Sequence, residues 1–319
     1  MPPKRSSKGT SKSALPKAQK VKTTDGNSAF SQTALGDEKA LGNDEDAGSG
    51  DTPTIEIPFA GKTITAQPFS PHKEAKGDAL PVLIFTHGAG GGIANPAISC
   101  FAKGFASQAD VILFQGTMNL QSRVKAFHTV IEHFHSEDAA LGGRSMGARA
   151  AVHAAKDHET NALVLASYPL VGQNGEMRDQ ILFEISENVD VLFISGDQDH
   201  MCKIDQLKEV RTKMRAKSWL VIVEGADHSM SLKSKAGIDI LRQYVGTLAA
   251  EWLAARDTSK TERSLSWDSA DKKVKDSGWK NSMGRKTASI KDAFAKQSMK
   301  PDKEEVSMDE HPKKRRKKD

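Results

Sequence analysis

The chain has 319 residues, a formal net charge of +5 and only two cysteines, Cys100 and Cys202, which allows one or two domains and leaves no disulfide framework to build on. The charge is uneven: residues 1–50 carry 8 Lys/Arg against 6 Asp/Glu and residues 257–319 carry 18 against 12, so the middle is mildly acidic. The basic balance therefore describes the tails and is no evidence for a nucleic-acid groove in the core. No apolar run is long enough to span a membrane, and the opening Met1-Pro2-Pro3-Lys4-Arg5 does not read as a secretory signal, so free thiols in a reducing compartment are expected.

Residues 1–52 are rich in Ser, Lys, Thr, Gly and Ala and hold few large apolar side chains. Such a stretch buries too little surface to offset the entropy of ordering, and a disordered N-terminal tail is predicted. Order is expected over 53–256. Ile55, Ile57 and Phe59 alternate with polar residues, Ala60-Gly61 turns the chain and Thr63 to Ala66 returns, which predicts a hairpin at a sheet edge. Ser70 to Asp78 reads as a loop. Leu80 to Thr86 is a continuous apolar run, as expected of a strand buried on both faces, and it ends in His87-Gly88-Ala89-Gly90-Gly91-Gly92. That glycine-rich loop lacks the Gly-Lys-Ser/Thr ending of a phosphate-binding loop and the spacing of a dinucleotide fingerprint, so no cofactor is expected.

Pro96 to Ser107 predicts a helix, Val111 to Phe114 a strand, and Ser122 to His135 a helix with Val124, Phe127, Val130, Ile131 and Phe134 at helical spacing. His128, His133 and His135 lie on that helix, but an i,i+2 pair does not share a helix face, and no metal site is expected. Ala139 to Leu141 reads as a short buried strand. Gly143-Arg144-Ser145-Met146-Gly147 follows, and Ala148 to Ala155 reads as a helix with small residues for close packing. This run fits G-x-S-x-G, in which a serine occupies a tight strand-to-helix turn and glycine is needed two residues before and two after because side chains there would collide. Further strands are predicted over Ala162 to Ala166, Val189 to Ser195 and Trp219 to Val223, and further helices over Lys203 to Met214 and Ile238 to Ala255. Val171 to Asn188 is irregular, with room for a small cap only.

Strands alternating with helices imply a mostly parallel sheet covered on both faces, an α/β fold whose strand C-termini share one edge. His87, Ser145, Asp199 and His228 all follow strands and are expected to converge there. The order Ser145, Asp199, His228 suits a hydrolytic triad: Ser145 as nucleophile, His228 as general base and then acid, Asp199 orienting the imidazole. Asp197 follows the same strand and is the alternative acid. The Met146 N–H is the expected first oxyanion donor and that of Ala89 the second, with His87, Gly88 and Gly90 shaping the loop and Gly143 and Gly147 the elbow.

The motifs Thr86-His87-Gly88-Ala89-Gly90-Gly91, Gly142-Gly143-Arg144-Ser145-Met146-Gly147-Ala148-Arg149, Gly196-Asp197-Gln198-Asp199 and Gly225-Ala226-Asp227-His228-Ser229 together resemble one branch of the α/β-hydrolase superfamily. That branch holds the testis-expressed hydrolase-like proteins and the hydrolase-like domain of the non-specific-lethal (NSL) complex subunit. The resemblance covers about residues 54–256 and implies the α/β-hydrolase fold. It departs from the family at Asp199-His200, where Asp-Pro is common.

Residues 257–319 are polar and charged apart from Trp267, Trp279 and Phe294, and a disordered C-terminal tail is predicted, its tryptophans being candidate docking marks. The run Lys313–Lys318, preceded by Pro312, reads as a nuclear import signal or a nucleic-acid contact. The expected function is a serine hydrolase of an ester, thioester or related acyl substrate. The alternative is a catalytically silent module of a nuclear or chromatin-associated complex. The partners are then a small acyl substrate, an import receptor and chromatin-complex components, with no membrane, and the expected location is the nucleus, with the cytoplasm as a second site.

Overall fold

The computed structural model describes residues 53–71 and 80–281. The predicted tail 1–52, most of the loop Ser70 to Asp78, and residues 282–319 with the basic run Lys313–Lys318 lie outside the described residues.

The hairpin opens the sheet. β1 (Ile55–Phe59) and β2 (Lys62–Phe69) pair antiparallel, and the turn residues Ala60 and Gly61 both take positive φ, 47° and 76°. Two central residues with positive φ give the turn whose twist matches that of the flanking strands. β2 lies antiparallel on β4 (Val111–Phe114), and β3 (Leu83–Thr86), β5 (Ala140–Arg144), β6 (Ala162–Ala166), β7 (Asp190–Gly196) and β8 (Ser218–Val223) continue in parallel. The order is β1-β2-β4-β3-β5-β6-β7-β8-β9-β10. From β3 the chain first steps outward to β4, then crosses back over β3 to β5 and advances the other way. The reversal point between β3 and β5 is where an open parallel sheet leaves a crevice at its C-terminal edge.

Each apolar strand is buried on both faces because helices cover both. Leu83, Phe85, Leu113, Val164, Leu192 and Val221 face α1 (Pro96–Phe105) and α6 (Ile238–Ala255). Ile84, Leu141, Leu163, Val191, Phe193 and Leu220 face α2 (Leu120–Phe134), α3 (Met146–Ala154), the short α4 (Gln180–Phe183) and α5 (Ile204–Lys213). The period-2 alternation of strand side chains divides one sheet between two cores. α2 begins two residues before the predicted Ser122 because Asn119 caps it, its Oδ1 accepting the Ser122 N–H at 2.9 Å. His133 and His135 are exposed on its C-terminal turn.

The predicted end of order at residue 256 is corrected. β9 (Glu262–Asp268) pairs parallel with β8, and β10 (Lys273–Asp276) pairs antiparallel with β9. Composition misled because only one β9 side chain, Leu265, is fully buried, so the segment reads as polar. What orders it is the free edge of β8, which would otherwise leave backbone groups unpaired. The Leu220 N–H donates to the Thr261 carbonyl at 2.9 Å and the Glu224 N–H to the Leu265 carbonyl at 2.8 Å. Side chains then lock the pair: Arg263 forms an ion pair with Asp276, which also accepts the Tyr244 hydroxyl at 2.6 Å. Trp267 packs against Gly237, and the Arg263 guanidinium lies 5.6 Å from the Trp279 ring centre, so both tryptophans belong to the fold and not to a tail.

Candidate active site

Ser145 follows the last residue of β5 and precedes the first of α3, with φ 53° and ψ −112°. A non-glycine residue at positive φ and this ψ is strained, and the surroundings hold it there. The Ser145 N–H donates to the Ala166 carbonyl of β6 at 2.9 Å. A Cβ on Gly143 would collide with the Gly147 backbone, and one on Gly147 would collide with the Thr86 and His87 carbonyls. The two glycines therefore let strand, helix and the neighbouring β3 loop approach to backbone contact. Gly88 is confined less tightly: an added Cβ would lie 2.9 Å from Arg144 Nη1, the end of a flexible side chain, and 3.5 Å from Ser145 Cβ. Gly90 faces open space and has no steric need to be glycine.

The loops after β7 and β8 bring the other two groups to the serine. Ser145 Oγ lies 2.9 Å from His228 Nε2, and His228 Nδ1 lies 2.8 Å from Asp199 Oδ2. An ionised carboxylate only accepts, so Nδ1 carries the proton toward Asp199 and Nε2 is left to accept from the serine hydroxyl. The second Asp199 oxygen accepts the Met201 N–H at 2.8 Å, and the Asp199 side chain is wholly buried. Asp197 is turned elsewhere: its Oδ1 accepts the Gly225 N–H at 2.7 Å and so ties the acid loop to the histidine loop. Asp227 shapes the histidine turn, accepting the Ser229 and Ser231 N–H groups at 2.8 and 2.9 Å. At the departure from the family pattern, His200 packs edge-on to His228 with ring centres 6.1 Å apart.

The loop after β3 is held from behind. Arg123 of α2 is fully buried, and no carboxylate pairs with it among the described residues. It donates from Nη1 to the His87 and Gly88 carbonyls and from Nε and Nη2 to the Thr117 carbonyl at 2.9 and 2.6 Å. In a trans peptide the N–H points opposite to the C=O. With the carbonyls of His87 and Gly88 drawn toward Arg123, the N–H groups of Gly88 and Ala89 face away from it. Met146 is the first helical residue of α3, where a backbone N–H has no partner within the helix. Met146 directly follows Ser145, and Gly88, the neighbour of Ala89, lies against Ser145, so the local backbone pattern leaves the Met146 and Ala89 N–H groups without an intrahelical or Arg123-side partner.

His87 is a brace. Its Nε2 accepts the Gly116 N–H at 2.9 Å, and Nδ1 lies 2.7 Å from the Gly88 carbonyl, so the ring is neutral with its proton on Nδ1. Burial, with the Arg123 charge adding to it, lowers its pKa to about 4. Burial likewise lowers Arg123 to about 10.

Residues 79–254, more than half of the chain, match the family model described as "Alpha/beta hydrolase domain". The chain belongs to this family. Solved structures agree on the fold of the hydrolase domain. An alpha-beta serine hydrolase homologue from Coxiella burnetii has a TM-score of 0.50 at 17% identity, over 62% of this chain and 96% of its own. Est1E from Butyrivibrio proteoclasticus gives 0.50 at 16%, over 63% and 99%, and the esterase domain of a Rhodothermus marinus protein 0.50 at 14%, over 63% and 96%. Ser145, His228 and Asp199 stand together at the crevice of this hydrolase domain.

Two residues of the site escaped sequence reading. Arg123 sits four residues before Phe127 and seven before Val130, on the apolar stripe of α2, and a charge at a core position was the signal available. Arg144 lies inside the serine motif. Its Nη2 donates to the His228 carbonyl at 2.7 Å, so it fixes the histidine loop against the elbow. Burial lowers its pKa, which the nearby Asp199 partly opposes.

Proposed function

We propose that this chain is a serine hydrolase acting on an ester, thioester or related acyl substrate. The observation that carries the proposal is the unbroken relay from Ser145 through His228 to a buried Asp199, at hydrogen-bond distances of 2.9 and 2.8 Å. In this reading Ser145 Oγ attacks the acyl carbonyl carbon while His228 Nε2 takes its proton. Asp199 stabilises the imidazolium so formed. The tetrahedral oxyanion is met by the N–H groups of Met146 and Ala89, with that of Gly88 alongside. The C–O or C–S bond then breaks, the leaving group takes the proton from His228, and water releases the acyl group by the same steps in reverse order. Labelling with a fluorophosphonate probe tests this. Wild type should label and Ser145→Ala should not, with little change in melting temperature, because an elbow serine contributes little packing. No labelling of wild type, or equal labelling of both, would reject hydrolysis at Ser145.

A second reading has its own support in the sequence. The Gly-Gly-Arg-Ser-Met-Gly-x-Arg run resembles the testis-expressed and NSL-subunit branch, and Lys313–Lys318 is a dense basic run suited to the acidic groove of an import receptor. We infer a nuclear protein on that basis, and a scaffold in a chromatin complex if the serine is silent. Removal of residues 312–319 should move a tagged protein to the cytoplasm; unchanged nuclear signal would reject this role for the run.

A further inference from the structure

Among the described residues, Arg178, Arg211, Arg242, Arg256 and Arg263 each form an ion pair with a carboxylate, and Arg215 is exposed. Arg123, Arg144 and Arg149 form none; Arg144 directly precedes Ser145 and Arg149 follows it by one turn of α3, whereas Arg123 lies behind the His87–Gly88 loop. Arg123 spends its donors on backbone carbonyls, as described above. Arg144 makes one hydrogen bond, to the His228 carbonyl, while its Nε is buried without a partner. Arg149 makes no side-chain hydrogen bond or ion pair among the described residues, although it is half-buried. Burial lowers its pKa and the Arg178 charge adds to that, with Glu176 only partly opposing. Arg178 repels it, and Glu176, the nearby carboxylate, is committed to an ion pair with Arg178.

Position makes this excess charge relevant to substrate. The Arg149 N–H donates to the Ser145 carbonyl at 3.2 Å, so Arg149 lies one turn along α3 on the side of the serine. One turn is about 5.4 Å. The free N–H groups and dipole at the start of α3 add positive potential at the same place. A guanidinium fork held half-buried beside another cation, with no acid of its own, matches an oxyanion group brought in by a ligand.

We propose that the site selects acyl substrates that carry a second, anionic group, a carboxylate or a phosphate, which Arg149 binds and the Arg144 charge helps to attract. This deepens the hydrolase reading and rests on it. A spacer of about two to four carbons between the scissile carbonyl and the anion spans roughly one helical turn.

The test compares kcat/KM for 4-nitrophenyl hemiglutarate with that for 4-nitrophenyl butyrate, in wild type, Arg149→Gln and Arg149→Lys. Wild type should favour the anionic ester at least tenfold. In Arg149→Gln that ratio should fall about tenfold or more, chiefly through KM for the anionic ester, and Arg149→Lys should lie between. A wild-type ratio near one, or a ratio unchanged in Arg149→Gln, overturns the inference; if Arg149→Gln does not fold, the Lys variant carries the comparison. Inhibition of butyrate hydrolysis by glutarate and by inorganic phosphate separates the two kinds of anion. Should wild type neither turn over nor label, the hydrolase reading falls by itself, and calorimetric titration of glutarate and of inorganic phosphate decides the anion site. Binding to wild type that is lost in Arg149→Gln supports it, and no binding of either anion to wild type overturns it.

Discussion

Arg123→Met removes the group that holds the loop after β3 from behind while leaving the core volume nearly unchanged. Three carbonyls lose a donor, those of His87, Gly88 and Thr117. The Gly88 carbonyl keeps the His87 Nδ1 contact at 2.7 Å, so two are left without their side-chain partner. At about 1–3 kcal/mol for each buried group left unsatisfied, the loss is roughly 2–6 kcal/mol. Against it stands the return of a fully buried guanidinium to a neutral side chain, which recovers part of a desolvation cost of several kcal/mol. The net destabilisation expected is therefore modest, about 2 kcal/mol. The larger effect falls on rate. Without Arg123 the His87–Gly88 and Gly88–Ala89 peptides are free to rotate, and loss of one aligned oxyanion donor costs on the order of 100-fold to 1,000-fold. Urea unfolding gives the stability, and the rate of fluorophosphonate labelling of Ser145 gives the second quantity. Arg123→Lys, which retains the charge but not the fork, should fall between. A folded Arg123→Met protein that labels within threefold of wild type would show that Arg123 does not position the oxyanion loop.

Four further outcomes follow from the same geometry. His87, neutral in the fold with a pKa near 4 against an ordinary 6.5, contributes stability that is fully present above pH 6.5 and is lost as pH falls toward 4, by up to about 3 kcal/mol; urea midpoints against pH should show this slope, and His87→Gln should flatten it. Asp199→Asn should cut the labelling rate by about 1,000-fold or more, whereas Asp197→Asn, which can still accept the Gly225 N–H, should cost less than about tenfold; the reverse ranking would reassign the acid. Gly147→Ala should destabilise by about 1–3 kcal/mol, because the new Cβ meets the Thr86 and His87 carbonyls; helix propensity alone predicts a gain of about 1 kcal/mol, so the sign of the change in urea midpoint decides. Leu265→Ala should cost about 2–5 kcal/mol, the range for a fully buried leucine, where a disordered segment would show no change in the same unfolding experiment.

The sequence by itself determined the parts whose signal is local. Apolar runs such as Val111 to Phe114 and Ala162 to Ala166 are strands buried on both faces, and the 3.6-residue spacing of α2 marks its core stripe. The elbow is legible because sterics at one tight turn demand glycine at Gly143 and Gly147, and the order Ser145, Asp199, His228 is legible because parallel strands deliver their C-terminal loops to one edge. Tertiary structure decided what depends on a partner distant in the chain. Asp199 is the preferred acid in the sequence and Asp197 the alternative; only the path of the histidine loop turns Asp197 toward Gly225 and Asp199 toward His228. Arg123 stands on the apolar stripe of α2, and what it does there is decided only when the β3 loop folds over it and supplies carbonyls in place of water. β9 and β10 read as tail because their order comes first from the unpaired edge of β8, and Leu265 is the one fully buried side chain of β9 to signal it. Periodicity and turn sterics act within a few residues, whereas hydrogen-bond partners and sheet edges are set only once the whole chain has closed on itself.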